Sequence, residues 1–148
     1  MIQNKPYIID GNIARDVRGS LSFFNGFDMR SIKRFYQVST VDTKMIRAWH
    51  GHMREIKYAY VIKGKALVCA VKLSDTVKPS KRTTVKRFIL SEKKSAILCI
   101  PAGYANGFRS LEKSTQIIFF SSSTLAQSKK DDYRFDPEYF GDVWRGNT

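Results

Sequence analysis

Histidine and cysteine are scarce in this chain, two of each in 148 residues. Two cysteines cannot staple a small disulfide scaffold. Each sits inside an apolar run, Ala66-Leu-Val-Cys69-Ala-Val71 and Ala96-Ile-Leu-Cys99-Ile100, and so reads as a buried thiol on a core strand. No apolar run approaches the length needed to cross a bilayer. The opening Met-Ile-Gln-Asn-Lys-Pro-Tyr lacks the basic region and apolar stretch of a signal peptide. The expectation is a cytoplasmic protein with no membrane partner. Acidic residues are half as numerous as basic ones, 13 against 26, for a net charge of +13. A basic helix, a zinc-finger spacing and an RNA-binding signature are all missing. The charge suits three partners, nucleic acid, an anionic surface or a small anionic ligand such as a nucleotide diphosphate, and without those motifs nucleic acid ranks last and is not expected.

What is present is a series of short β-forming runs. Hydrophobic content of 43% with 13% aromatics suits one folded domain of this length. Strand-like stretches fall near 7–13, 21–24, 32–39, 45–52, 57–63, 66–73, 85–90, 96–100, 106–108 and 116–121, with turn chemistry between them. Helical periodicity is weak throughout. Short strands at this spacing make a sandwich or barrel. Residues 1–148 read as one all-β domain, of which about 128–148 form a polar, aromatic tail.

The segment 47–64, Arg-Ala-Trp-His-Gly-His-Met-Arg-Glu-Ile-Lys-Tyr-Ala-Tyr-Val-Ile-Lys-Gly, holds both histidines, His50 and His52. Residues two apart on a strand share a face, so the two imidazoles can look into one cavity. Imidazole has the ordinary pKa that suits proton transfer near neutrality. Acid–base chemistry, if the chain performs it with imidazole, belongs here. On the next strand Tyr58 and Tyr60 face away from Lys57, Ala59 and Val61.

His50-x-His52 ahead of a strand ending at Gly64, followed by Ile100-Pro-Ala-Gly-Tyr-Ala-Asn-Gly-Phe108, resembles the paired motifs of the cupin jelly roll, a double-stranded β-helix. Metal-binding cupins place a carboxylate where Lys57 stands and a second-motif histidine where Asn106 stands. An ammonium opposes a divalent ion and an amide replaces imidazole poorly, so no metal and no cofactor are expected.

A narrower resemblance covers nearly the whole chain. Arg47-x-x-His50, Lys57, Ile100-Pro-x-Gly-Tyr-Ala-x-Gly-Phe108, Asp136-Pro137 and Trp144 are similar to the RmlC-like cupins, the dTDP-4-dehydrorhamnose 3,5-epimerase family. Asp16-x-Arg-Gly-Ser-Leu21, Ile32-Lys-Arg-Phe-Tyr36 and the paired histidines are similar to the related dTDP-sugar 3,4-ketoisomerases. Either branch implies an isomerase of a dTDP-linked 4-keto-6-deoxy sugar, a homodimer, and a place in deoxysugar and polysaccharide biosynthesis. The 4-keto group acidifies its neighbouring C–H bonds, and the enolate formed on proton removal needs a positive group beside it. The resemblance makes His50 the base, oriented by Asp136, and Lys57 the enolate partner. Arg47, Arg18 and Arg34 are candidates to clamp the diphosphate, Phe23 to stack on the base, and Asn106 to line the substrate site.

Two departures from the epimerase pattern stand out. Asn106 occupies the place of its second histidine, and Phe119 or Phe120 the place of its tyrosine acid. Phenylalanine cannot protonate a carbanion, so another acid, such as Tyr104, Tyr58, Tyr60 or His52, is expected. The departures leave three classes open: a 3- or 3,5-epimerase, a 3,4-ketoisomerase using both histidines, and a non-catalytic sugar-nucleotide-binding cupin.

Overall fold

The computed structural model describes residues 3–146. Twelve strands and one short helix follow in order: β1 (Tyr7–Asp10), β2 (Asn12–Asp16), β3 (Gly19–Phe23), β4 (Arg34–Ser39), β5 (Ile46–His52), β6 (Lys57–Lys63), β7 (Lys65–Lys72), β8 (Lys86–Ser91), β9 (Ala96–Ile100), β10 (Tyr104–Ser110), β11 (Gln116–Ser121), α1 (Leu125–Lys129) and β12 (Tyr133–Arg134). One sheet has the order β1-β9-β6-β11-β4, the other β12-β5-β10-β7-β8, and β2-β3 forms a separate hairpin. Every pairing is antiparallel. This is the jelly-roll sandwich that the strand spacing and the cupin motifs led us to expect.

Strand parity fills the space between the sheets. Ala59, Val61, Leu98, Ile100, Ile117 and Phe119 come from one sheet, and Ala66, Val68, Ala70, Leu90 and Phe108 from the other. The alternation on β6, with Lys57, Ala59 and Val61 buried and Tyr58 and Tyr60 half-buried, is the one its sequence implied. β7 is apolar at every position from Ala66 to Val71 because both its faces are covered.

Its outer cover is the tail. Phe140 and Trp144 are buried against Trp49, Leu67, Cys69, Val71, Leu73 and Ala105, with Phe135, Tyr139 and Val143 packed around them. Residues 135–146 are thus the lid of a second core, not a polar appendage. Gly107 belongs to the same packing. It lies within β10, not at a turn, and a Cβ there would meet the Arg47 carbonyl and the Trp144 ring, each at 2.9 Å. Phe140 makes an edge contact with the Trp49 ring, centroids 5.2 Å apart. Phe140→Ala should cost about 3 kcal/mol by loss of burial and creation of a cavity, measured by chemical denaturation. A loss below about 1 kcal/mol would mean that the tail does not cover this sheet.

Candidate functional site

Between the mouths of the two sheets lies a cavity of about 310 Å³. Its wall on the second sheet carries Arg47, His50 and His52 from β5, with Asn106 and Phe108 from β10. The facing wall carries Arg34, Tyr36 and Val38 from β4, Lys57 from β6 and Phe119 from β11. The segment 125–134 closes one side with Leu125, Ser128, Lys129, Asp132 and Arg134. The i, i+2 rule explains the grouping: residues 34, 36 and 38 share one face of β4, as 50 and 52 share one face of β5.

The two imidazoles are held differently. His50 is half-buried, and Asn106 lies directly across from it on β10, its Nδ2 donating to the His50 carbonyl at 3.3 Å. Burial first, then the charges of Lys57 and Arg134, depress its pKa to about 4. His52 is only 4% exposed. Its Nδ1–H donates to the Asp131 carbonyl at 2.6 Å, which assigns the proton to Nδ1 and leaves Nε2 a bare acceptor. Burial and the neighbouring Lys57 push its pKa down as well. Both rings are therefore neutral near pH 7, the protonation state a base requires.

Lys57 is buried, with its ammonium 3.9 Å from the Glu55 carboxylate and over the ring of Tyr36 at 5.6 Å. Tyr36 stacks on Phe119, ring centroids 5.4 Å apart, and the Arg34 guanidinium lies 5.1 Å from its centroid. Five cations, Arg34, Arg47, Lys57, Lys129 and Arg134, line the cavity against one lining carboxylate, Asp132. Such a surplus suits a diphosphate or a developing enolate. With an ammonium beside both imidazoles and an amide in place of a further histidine, the donor set repels a divalent ion. Among the described residues no group of three or more His, Cys, Asp or Glu is placed to hold a metal.

The cavity gathers His50, His52, Lys57, Arg47, Arg34 and Asn106, and four other expected residues lie outside its lining. Asp136 does not orient His50: it is exposed, and its carboxylate accepts the Glu138 N–H at 2.9 Å, capping a turn. The carboxylate that lines the cavity and favours protonated His50 is Asp132. Tyr104 is on the interior face, but its hydroxyl donates to the Asn4 carbonyl at 3.2 Å, away from the cavity wall. Arg18 is 86% exposed on the β2–β3 hairpin and ion-paired with Asp16. Phe23 ends the same hairpin, opposite Asn12. Of the two phenylalanines on β11, Phe119 lines the cavity and Phe120 faces outward against Phe27 and Phe35.

The sequence reading missed Tyr36, Glu55, Asp131, Asp132, Lys129 and Arg134. Tyr36 was legible, since it shares parity with Arg34 on a strand already identified. Glu55 sits in a bend between strands, and 129–134 read as solvated tail; neither gives a periodic signal.

Paired imidazoles on one wall of this interior face an ammonium and a phenol on the other, groups with which a cupin can carry out acid–base chemistry. The profile of the dTDP-4-dehydrorhamnose 3,5-epimerases matches residues 4–147, and the chain belongs to that family of dTDP-sugar isomerases. No curated protein matches it. Among solved structures it is similar to a dTDP-4-dehydrorhamnose 3,5-epimerase from Elizabethkingia anophelis, at 16% identity and a TM-score of 0.76 over 97% of this chain and 82% of that one. ChmJ, a 3'-monoepimerase from Streptomyces bikiniensis solved with dTDP-quinovose, shares 16% identity and a TM-score of 0.77 over 96% and 76%. A point variant of the 3,4-ketoisomerase QdtA from Thermoanaerobacterium thermosaccharolyticum, in complex with TDP-4-keto-6-deoxyglucose, shares 19% and a TM-score of 0.70 over 94% of each chain. At these identities the likeness is one of fold. No helix among the described residues is long and apolar enough to cross a membrane.

Proposed function

We propose that the chain epimerises a dTDP-linked 4-keto-6-deoxy sugar at the carbon beside the ketone, by metal-free proton transfer. The observation that carries this reading is the placement of a neutral imidazole, His50, and a phenol, Tyr36, on opposite walls of one cavity. Inversion removes a proton from one face of a carbon and returns one to the other, so base and acid must flank the ring. His50 takes the proton from C3 or C5, and the C–H electron pair moves onto the keto oxygen as an enolate. Lys57 stabilises that oxygen. Tyr36 then donates its phenolic proton to the opposite face, in the role for which Phe119 lacks a hydroxyl. Arg47 and Arg34, joined by Lys129 and Arg134, hold the diphosphate.

A specific feature favours a second reading, 3,4-keto isomerisation. His52 lies two residues from His50 on the same face, its Nε2 buried without a hydrogen-bond partner. Two acceptors on one wall suit proton movement between adjacent carbons on one face of the sugar. We place the protein in the cytoplasm, where nucleotide sugars are made. We also assign it a homodimeric state, for which the β2–β3 hairpin, with Leu21 64% exposed and Val17 fully so, offers a second copy an edge.

Incubation with dTDP-4-keto-6-deoxyglucose in deuterated water, read by NMR and mass spectrometry, tests both readings. Deuterium at C3 or C5 with the ketone still at C4 establishes epimerisation, whereas a ketone at C3 establishes the ketoisomerase. Binding of dTDP without exchange or product would leave a sugar-nucleotide-binding cupin and overturn the catalytic assignment.

A further inference from the structure

The loop between β5 and β6 places a carboxylate behind the cavity. The side chain of Glu55 is wholly buried, a costly position for an ion unless every part of it is matched. Ser121 Oγ donates to its Oε1 at 2.5 Å, and Arg34 Nη2 lies 3.4 Å from the same oxygen. Its Oε2 makes no hydrogen bond among the described residues and is met by charge instead, 3.2 Å from His52 Nδ1 and 3.9 Å from Lys57 Nζ. The loop is fixed from behind by Asp131, whose carboxylate accepts the backbone N–H groups of Met53, Arg54 and Glu55 at 2.8–2.9 Å. One acidic side chain thus touches a candidate base, the candidate enolate partner and a candidate phosphate ligand, and a second exists to hold it there.

Two oxygens face His52 Nδ1: the Asp131 carbonyl at 2.6 Å and Glu55 Oε2 at 3.2 Å. A lone pair on Nδ1 would be repelled by both, so the proton stays on Nδ1 and the lone pair stays on Nε2, which no group in the protein occupies. A proton accepted by Nε2 from a sugar hydroxyl or an acidified C–H converts His52 into an imidazolium. The bond broken leaves its electron pair on the sugar, and the new positive charge faces Glu55 directly. The same carboxylate balances Lys57, which would otherwise repel that imidazolium.

We propose that Glu55 is a positioning residue: it backs the His52 tautomer that the Asp131 carbonyl sets, and its charge balances Lys57 and the imidazolium formed when Nε2 accepts a proton. This rests on the reading of the cavity as a proton-transfer site. A merely structural Glu55 would influence stability alone. A positioning Glu55 alters the state of His52.

The test uses the full chain with 15N-labelled histidine, which gives only two imidazoles to assign. Long-range 1H–15N spectra of the wild type should show His52 with a protonated Nδ1 and a bare Nε2. In Glu55→Gln the Asp131 carbonyl should still hold the proton on Nδ1, so the tautomer persists and the titration is the readout that moves. His52 should titrate at lower pH: around it stand Lys57, Asp131, the neutral His50 and Glu55, and Glu55 gives the largest push toward the cation. Turnover of the dTDP-linked sugar should fall by about 10- to 100-fold in kcat, with KM little changed. Ser121→Ala, which frees Oε1 but keeps the carboxylate, should move the same readouts in the same direction to a smaller extent, and it serves if Glu55→Gln fails to fold. An unchanged His52 titration in a folded variant overturns the proposal. The spectra do not depend on turnover: a wild type inactive toward every dTDP-sugar would overturn the catalytic reading, and the His52 titration would still decide the role of Glu55.

Discussion

His50→Ala should lower turnover of a dTDP-linked 4-keto-6-deoxy sugar by about 10²–10⁴-fold, the range that a positioned general base supplies, and should leave the fold intact. The side chain is only half-buried and makes no hydrogen bond that the sheet needs; Asn106 and Arg134 meet His50 through its backbone. Deuterium exchange into the sugar should vanish with turnover, because removal of the proton is the step lost. The pH dependence carries the same signature. With the His50 pKa depressed to about 4, the neutral ring persists well below pH 6.5, and kcat/KM should hold until the pH falls toward about 4. A depressed histidine also acts on stability: between pH 6.5 and about 4 the unfolded chain binds the extra proton, so stability is full above 6.5 and declines as the pH falls. Circular dichroism at each pH separates the two effects. Unchanged turnover in His50→Ala would remove it from the mechanism, and a rate limb near 6.5 would mean that its ring is solvated.

The fold was legible in the chain because strand periodicity and turn residues are local. The runs at 57–63, 96–100 and 116–121 and the apolar stretch from Ala66 to Val71 all became strands at or within a residue or two of the expected positions. The site was legible to the extent that it rests on strand parity and motif, which brought His50, His52, Lys57, Arg47, Arg34 and Asn106 to one cavity. Where contacts join distant segments the sequence was silent. The Lys129–Arg134 stretch looks like a solvated tail, yet it closes the cavity and sends the Asp131 carbonyl to His52, 79 residues away. Asp136 showed the reverse. Its Asp-Pro pair fitted a motif, but the chain uses it as a turn. Tyr104 has interior parity, and only its hydrogen bond to the carbonyl of the distant Asn4 shows that its hydroxyl is already engaged.

Tyr36→Phe should uncouple the two halves of the reaction. His50 would still remove the proton and return one from the same face, so deuterium should enter the sugar. Inversion should fall by about 10²-fold for want of an acid on the opposite wall. Exchange without inversion is an outcome that neither simple unfolding nor weakened binding produces, since both would depress exchange as well. The ketoisomerase reading makes the opposite forecast. Its proton moves along one face, so Tyr36→Phe should leave turnover within a few-fold while His52→Ala abolishes it. Phe119→Tyr extends the test, because its ring stacks on Tyr36 with centroids 5.4 Å apart and a para-hydroxyl there enters the same cavity. In the double variant Tyr36→Phe, Phe119→Tyr the transplanted phenol should restore part of the lost inversion, read as product stereochemistry by NMR. Restoration would show that the wall facing His50 needs a phenol and that either strand can supply it. A double variant no better than Tyr36→Phe would tie the acid to β4, where the Arg34 guanidinium and the Lys57 ammonium lie over the Tyr36 ring.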